Sequence, residues 1–328
     1  MIKFRYLSIL VIILALIGLG FAAHEIFTVQ NSLERIVRIN PGDNARTIGL
    51  KLKKAGIISQ VESFRILAKL RRADKSLKAG TYVFGGNSNL WQTVSRLNDG
   101  VSENIRIRIP EGFSLYRTLL RIEAGGLADY QSLYAAATDT ALVRRLTGLP
   151  LKSLEGFLYP ETYLFAVPSS PDTILSIMTQ EFFRKINRAG IDMQQIDDFY
   201  DKLILASIIE KEAGNSSERP IVAGVFERRL RFGMALQSCP TVDYILEKRG
   251  IRREVLTNSD TEIVSDYNTY RITGLPPTPI SNPQVESILA ALNPAQHNYL
   301  YFFSDRKGNN VFSKSYEEHL RLQRQMGL

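Results

Sequence analysis

The sequence predicts an α+β protein, and three stretches carry that expectation. Lys202 to Gly214 (Lys-Leu-Ile-Leu-Ala-Ser-Ile-Ile-Glu-Lys-Glu-Ala-Gly) is apolar on every face from Leu203 to Ile209 except at Ser207, the pattern of a helix inside a core. Ile105-Arg106-Ile107-Arg108-Ile109 alternates strictly, as a strand with arginines on one face does. Ile36 to Ile39 alternates in the same way, then runs through an Asn-Pro-Gly-Asp turn into residues with helical spacing. At 328 residues, 45 % hydrophobic and 23 % charged, the chain can fill two compact domains and still carry an N-terminal extension.

That extension comes first in order. Lys3 and Arg5 precede an unbroken apolar run from Leu7 to Ala23, which as a helix reaches roughly 26 Å, the lower end of a bilayer span. Cations before the run, with His24 and Glu25 after it, place the N-terminus in the cytoplasm and the rest of the chain outside. Gly20-Phe21-Ala22 loosely matches a signal-peptide cleavage site, but the run exceeds a typical signal core. Residues 1–30 are therefore read as a cytoplasmic tip and a single-pass anchor in the cytoplasmic (inner) membrane. The single Cys239 allows no internal disulfide, so stability must come from core burial. The formal net charge is +8, with basic clusters at Lys51, Lys53 and Lys54, at Arg228, Arg229 and Arg231, and at Arg252 and Arg253. Outside a membrane the anions to be met are phospholipid headgroups and carboxylate-bearing wall polymers, not nucleic acid.

Residues 31–101 read as a small α+β module. After the 36–39 strand, Asn44 or Asp43 can cap a helix with Ile48, Leu52 and Ala55 on one face, and Gly56 stops it. A second helix spans Val61 to about Leu70, and Gly80 to Phe84 returns as a strand. Strand, helix, helix, strand, entered through Pro-Gly-Asp, resembles a LysM-like glycan-binding module; the bland alternative is a spacer.

Residues 102–328 read as a larger α+β domain. The 105–109 strand turns at Pro110-Glu111-Gly112 into a helix from Phe113 to Ala124. Leu154 to Phe165 is rich in aromatics and carries Glu155 and Glu161. After Gly214, the expected helix stop, Ser217 is the expected cap of a helix through Ile221, Val222, Val225 and Phe226. Gly233 to Tyr244 reads as a polar, kinked run; Asp266 to Tyr270 and Gly274 to Pro283 are loops whose Pro, Asn, Thr and Tyr residues would suit either a sugar groove or a structural role. The three histidines are scattered, no cluster has metal-ligand spacing, and there is no P-loop, dinucleotide glycine pattern or serine nucleophile elbow.

Two carboxylates end the apolar helix. Glu210 shares a face with Ser207, Ala206 and Leu203, where partial desolvation raises a carboxyl towards the range of a general acid. Glu212 has Ile208 and Ile209 behind it, so periodicity alone does not separate the two. A helix-end ion pair is the bland alternative for either.

The motifs then settle a resemblance. Leu-Glu-Gly-Phe-Leu-Tyr-Pro-Glu-Thr-Tyr at 154–163, Ala-Ser-Ile-Ile-Glu-Lys-Glu at 206–212, Leu-Gln-Ser-Cys-Pro-Thr-Val at 236–242, Tyr-Asn-Thr-Tyr at 267–270 and Gly-Leu-Pro-Pro at 274–277 follow one another as in the YceG-like family of endolytic murein transglycosylases. The resemblance implies a membrane-anchored lyase that cuts peptidoglycan strands internally, leaves 1,6-anhydro-N-acetylmuramyl ends and terminates nascent strands, with peptidoglycan synthases as partners. It implies no metal and no cofactor. It assigns the catalytic acid to the first glutamate of Glu-Lys-Glu, Glu210; the candidate substrate contacts are Gln237, Thr241, Asn268, Thr269 and Tyr270, with Gln237, Asn268 and Tyr270 best placed to orient sugar and acid. Departures from the family pattern stand at Cys239 in place of an acid, and at Thr278 and Gln284 in place of glycines. The rival readings are a hydrolytic muramidase and a non-catalytic glycan-binding scaffold.

Overall fold

The computed structural model describes residues 35–84, 88–100, 104–167, 169–253 and 255–327. The expected anchor, 1–30, lies outside them; among the described residues no helix is long and apolar enough to cross a membrane. Helices and three two-stranded sheets make up these residues, an α+β composition. The chain divides into two compact units.

Of the described residues, the first unit comprises those within 35–106, 123–129 and 164–170. Strand β1 (Arg35–Ile39) pairs antiparallel with β2 (Gly80–Phe84), Arg35 opposite Phe84 and Ile39 opposite Gly80. Between them run α1 (Ala45–Lys54) and α2 (Val61–Leu70), with α3 (Leu90–Asp99) after β2. Of the two expected caps, Asn44 is the one used, accepting from the Thr47 N–H, while Asp43 pairs with Lys51. Helix α3, not anticipated from sequence, opens with a reciprocal capping box between Asn89 and Gln92. Ile48, Leu52, Phe64, Phe84, Val94 and Leu97 fill the core.

The second unit comprises residues 107–122, 130–163 and 171–328. Strand β3 (Asn104–Arg108), β4 (Thr162–Ala166) and α4 (Leu115–Ala124) each fall partly in either unit, β3 pairing with β4; α5 (Tyr130–Ala137) and α6 (Thr140–Thr147) lie between the two strands in sequence. Then come α7 (Pro171–Arg188), α8 (Phe199–Glu212), α9 (Arg219–Arg231), α10 (Cys239–Lys248), the short α11 (Asn258–Thr261) and α12 (Val285–Leu292). A hairpin of β5 (Tyr301–Ser304) and β6 (Asn310–Ser313) leads into α13 (Tyr316–Gln325).

Helix α8 is central: Leu203 to Ile209 are buried without a break, as an all-round apolar sequence requires. It packs against α9, α10 and α12. Its one internal hydroxyl is used twice. Ser207 Oγ donates to the Ile204 carbonyl (2.7 Å) and accepts the Ile280 N–H (3.0 Å). Buried Asn282 accepts the N–H groups of Gly156 (3.0 Å) and Leu158 (2.9 Å) and donates to the Phe113 carbonyl (2.9 Å). This end of the Gly274–Pro283 loop is therefore a tie between core elements rather than a sugar groove.

Three local expectations need correction. The run from Gly233 to Tyr244 is not kinked loop throughout, because α10 starts at Cys239 with Pro240 in its first turn, where a missing N–H costs nothing. Ser217 does not cap α9: its hydroxyl donates to Asn215 (2.6 Å), and Glu218 holds the N-cap position. Helix α8 ends at Glu212 with Ala213 already extended, so Gly214 is not its left-handed stop. Gly214 is there because a Cβ would lie 2.3 Å from the Gly308 carbonyl oxygen in the β5–β6 turn.

Candidate active site

Glu210 and Glu212 lie two residues apart on α8, about 200° around the helix, and so face different surroundings. Glu210 is enclosed, its side chain 2 % exposed. One carboxylate oxygen accepts from Ser287 Oγ (2.6 Å) and the Gln284 N–H (3.2 Å); the other meets the Arg219 guanidinium at 3.4 Å. Burial pushes its carboxyl up, while Ser287, Arg219 and the Gln284 amide pull the other way. This is the helix-end ion pair that the sequence left open.

Among the described residues the half-buried Glu212 carboxylate accepts one hydrogen bond, from Ser238 Oγ at 2.6 Å. Burial pushes this carboxyl up to about 6 against the Ser238 bond; Asp243 adds to the rise, and Arg229 and Lys211 oppose it. Ser238 stands at the N-cap of α10, yet its hydroxyl is turned to Glu212 instead of the helix N–H groups. The Glu212 carbonyl accepts from Asn310 Nδ2 (3.0 Å), which ties the end of α8 to the β5–β6 hairpin.

The candidate substrate residues gather on the Glu212 side. The Gln237 N–H donates to the Thr269 carbonyl (2.9 Å) and the Ser238 N–H to Thr269 Oγ1 (3.0 Å). Thr241 and Thr269 share a hydroxyl contact at 2.9 Å. Asn268 donates to the carbonyls of Thr261 (2.9 Å) and Ile263 (2.7 Å) and accepts the Tyr270 N–H (3.0 Å). Thr241, Asn268 and Thr269 are wholly buried, with their polar groups satisfied inside these loops. Their role is to hold the loops in place. Gln237 is exposed, and the half-buried Tyr270 places its hydroxyl 3.0 Å from exposed Cys239 Sγ. Gln237 also has φ 50°, a left-handed conformation uncommon outside glycine and often met at functional positions.

Buried Arg229, which sequence reasoning counted only in a basic cluster, fixes this segment. Its guanidinium donates to the carbonyls of Leu236 (2.8 Å) and Ala235 (3.3 Å), to Gln237 Oε1 (3.5 Å) and to the Leu300 carbonyl (2.7 Å). No sequence signal separates it from its exposed neighbours except its place on the Val222–Phe226 face of α9. Among the described residues no group of three or more His, Cys, Asp or Glu side chains could hold a metal.

A cavity of about 440 Å³ adjoins this side, walled by Tyr116, Arg117, Lys211, Asp243, Ile251 and Arg252 among others; Glu212 is not part of the wall. A second, of about 380 Å³, includes Glu111, Tyr159, Gln284 and Glu286; Glu210 is not part of it.

The YceG-like family model matches residues 37–325. An endolytic murein transglycosylase of Bacillus subtilis (strain 168) is 30 % identical over 309 residues, covering 89 % of this chain and 85 % of the relative. One from Streptococcus pneumoniae serotype 2 (strain D39 / NCTC 7466) is 27 % identical over 320 residues, covering 87 % of this chain and 57 % of a longer relative. The crystal structure of a yceG-like protein from Listeria monocytogenes superposes with a TM-score of 0.60 at 32 % identity, covering 89 % of this chain and 99 % of that one. A match over nearly the whole length, joined to the ordered motifs around α8, makes this chain a member of the YceG-like family.

Proposed function

We propose that the protein is a peptidoglycan lytic transglycosylase whose acid is Glu212. The observation that carries the assignment is the position of Glu212: a carboxyl raised to about 6, beside the loops that present Gln237 and Tyr270. Glu210, the residue favoured from sequence and resemblance, is ion-paired with Arg219 and bonded by Ser287 and the Gln284 N–H; its carboxyl too is raised by burial. A general acid works best with a pKa near the working pH and must reach its proton acceptor.

The chemistry needs one such group. Protonated Glu212 gives its proton to the glycosidic oxygen as the bond to the muramyl anomeric carbon breaks. The resulting carboxylate then takes the proton of the muramyl 6-hydroxyl as that oxygen attacks the same carbon, closing the 1,6-anhydro ring. The nucleophile belongs to the substrate, so no water has to be ordered. Hydrolytic glycosidases generally use two carboxylates; the group bonded to the Glu212 carboxylate here, the Ser238 hydroxyl, is neutral. Gln237 and Tyr270 orient the sugar.

Residues 1–30 anchor the enzyme in the cytoplasmic membrane with both units outside, the LysM-like βααβ unit engages glycan, and peptidoglycan synthases are its partners. Lys3 and Arg5 before the apolar run support that orientation. A reporter fused after Leu328 should be active outside the cytoplasm; activity only inside it overturns the orientation.

The reaction is tested by mass spectrometry of strands digested with the full chain. Anhydro ends are expected. Reducing ends would make the protein a muramidase, and intact strands a scaffold.

A further inference from the structure

The 440 Å³ cavity has chemistry that a neutral sugar does not call for. Its wall combines cations (Arg117, Lys211, Arg252, Arg253), anions (Asp243, Glu247) and apolar surface (Tyr116, Leu120, Ile251). Some of these charges are already matched: Arg117 lies 3.9 Å from Glu247 and Arg253 lies 3.1 Å from Asp260. Lys211, Asp243 and Arg252 have no hydrogen bond or ion pair among the described residues. Leu120 and Ile251 are exposed, at 37 % and 42 %. Arg252 without a partner among these residues, and Lys211 and Asp243 that meet only through each other's field, beside aliphatic surface suit a ligand made of amino acids, with carboxylates, an ammonium group and methyls.

The position narrows the ligand further. Lys211 precedes Glu212 in the chain, and Lys211 and Asp243 both act on the Glu212 carboxyl. Muramic acid carries its peptide on the 3-O-lactyl group of the ring that holds the scissile anomeric carbon. A peptide there must run alongside the acid. We infer that this cavity receives the stem peptide of the muramyl residue being cleaved, with Arg252 and Lys211 meeting its carboxylates and Asp243 its amine. The inference rests on the lytic reading of Glu212 and deepens it, since the enzyme would then select peptide-bearing strands over bare glycan.

Two measurements on the full chain in detergent micelles separate this inference from the reaction itself. The first compares kcat/KM on uncross-linked peptide-bearing strands and on the same strands stripped at the lactyl amide. The wild type should favour peptide-bearing strands by at least about tenfold, the scale of one or two charge-assisted contacts. Arg252→Gln, and more strongly Arg252→Glu, should bring that ratio towards one; Arg252 is exposed, so neither change threatens the core. The second titrates a free synthetic lactyl-tetrapeptide, followed by calorimetry. It should bind the wild type saturably, and Arg252→Glu should abolish binding. Equal turnover of the two strand types with no peptide binding overturns the cavity assignment and leaves the reaction standing. Peptide binding lost in Arg252→Glu, with neither strand cut, keeps the cavity and overturns the reaction.

Discussion

The two ends of one Glu-Lys-Glu triplet show how packing gives identical side chains different surroundings. Around Glu210 the protein supplies a hydroxyl, a backbone N–H and a guanidinium, so the carboxylate has little left to do. Around Glu212 it supplies one hydroxyl and a rise to about 6. On the proposed reading the more fully satisfied carboxylate is the structural one, and the less satisfied one, beside exposed polar side chains, is the reagent.

The largest expected effect breaks the comparison directly. Glu212→Gln should cost about 10²–10⁴ in turnover, the usual worth of a general acid–base, with the melting temperature little changed. If Glu212→Gln turns over normally while well-folded Glu210→Gln is inert, the roles are reversed and the acid is Glu210. Glu210→Gln itself should act on stability. It leaves the Arg219 side chain, 10 % exposed, without its counter-charge, and a loss of about 1–3 kcal/mol should appear in urea unfolding.

Glu155 sharpens the contrast as a buried carboxyl with no cation in hydrogen-bond contact. It accepts from the Leu115 N–H (2.7 Å) and the Tyr244 hydroxyl (3.0 Å), and burial drives it to about 8. A carboxyl raised on folding contributes stability that is complete below its ordinary value of 4.5 and is lost as pH rises through about 8. The melting temperature of the wild type should fall across that window, and Glu155→Gln should flatten the fall. An unchanged slope would mean that Glu155 is ionised in the folded protein.

The smallest effect concerns the setting of the acid. With Glu212 as the proposed acid, bond cleavage needs it protonated, so kcat/KM should decline above about pH 6. Cys239→Asp would add a negative charge near Glu212 and should move that limb upward; a limb that moves down or stays fixed would separate position 239 from the acid.

How much of this was legible from sequence depends on the distance over which a residue finds its partners. The burial of α8 is written in its own composition, and β1, α1, α2 and β2 follow from local alternation, a cap and helical spacing. The two glutamates are another matter. Glu210 is satisfied by Gln284 and Ser287, more than seventy positions away, and nothing near it in the chain announces them. Asn268, Thr269 and Thr241 read as surface polar residues because short polar side chains outside apolar runs usually are; here Thr241 and Thr269 bond each other and Asn268 ties down the Thr261 and Ile263 carbonyls. Helix α10 had a usable signal, Pro240 in the first turn with Val242, Ile245 and Leu246 behind it, obscured by the polar residues before it.

Gln237 carries a consequence for anyone redesigning this protein. Its backbone sits where a side chain costs about 1 kcal/mol or more, and glycine would sit there without strain. A library sorted for heat resistance alone should therefore enrich Gln237→Gly, and the same library sorted for turnover should discard it. The position would then mark where robustness and activity select different amino acids.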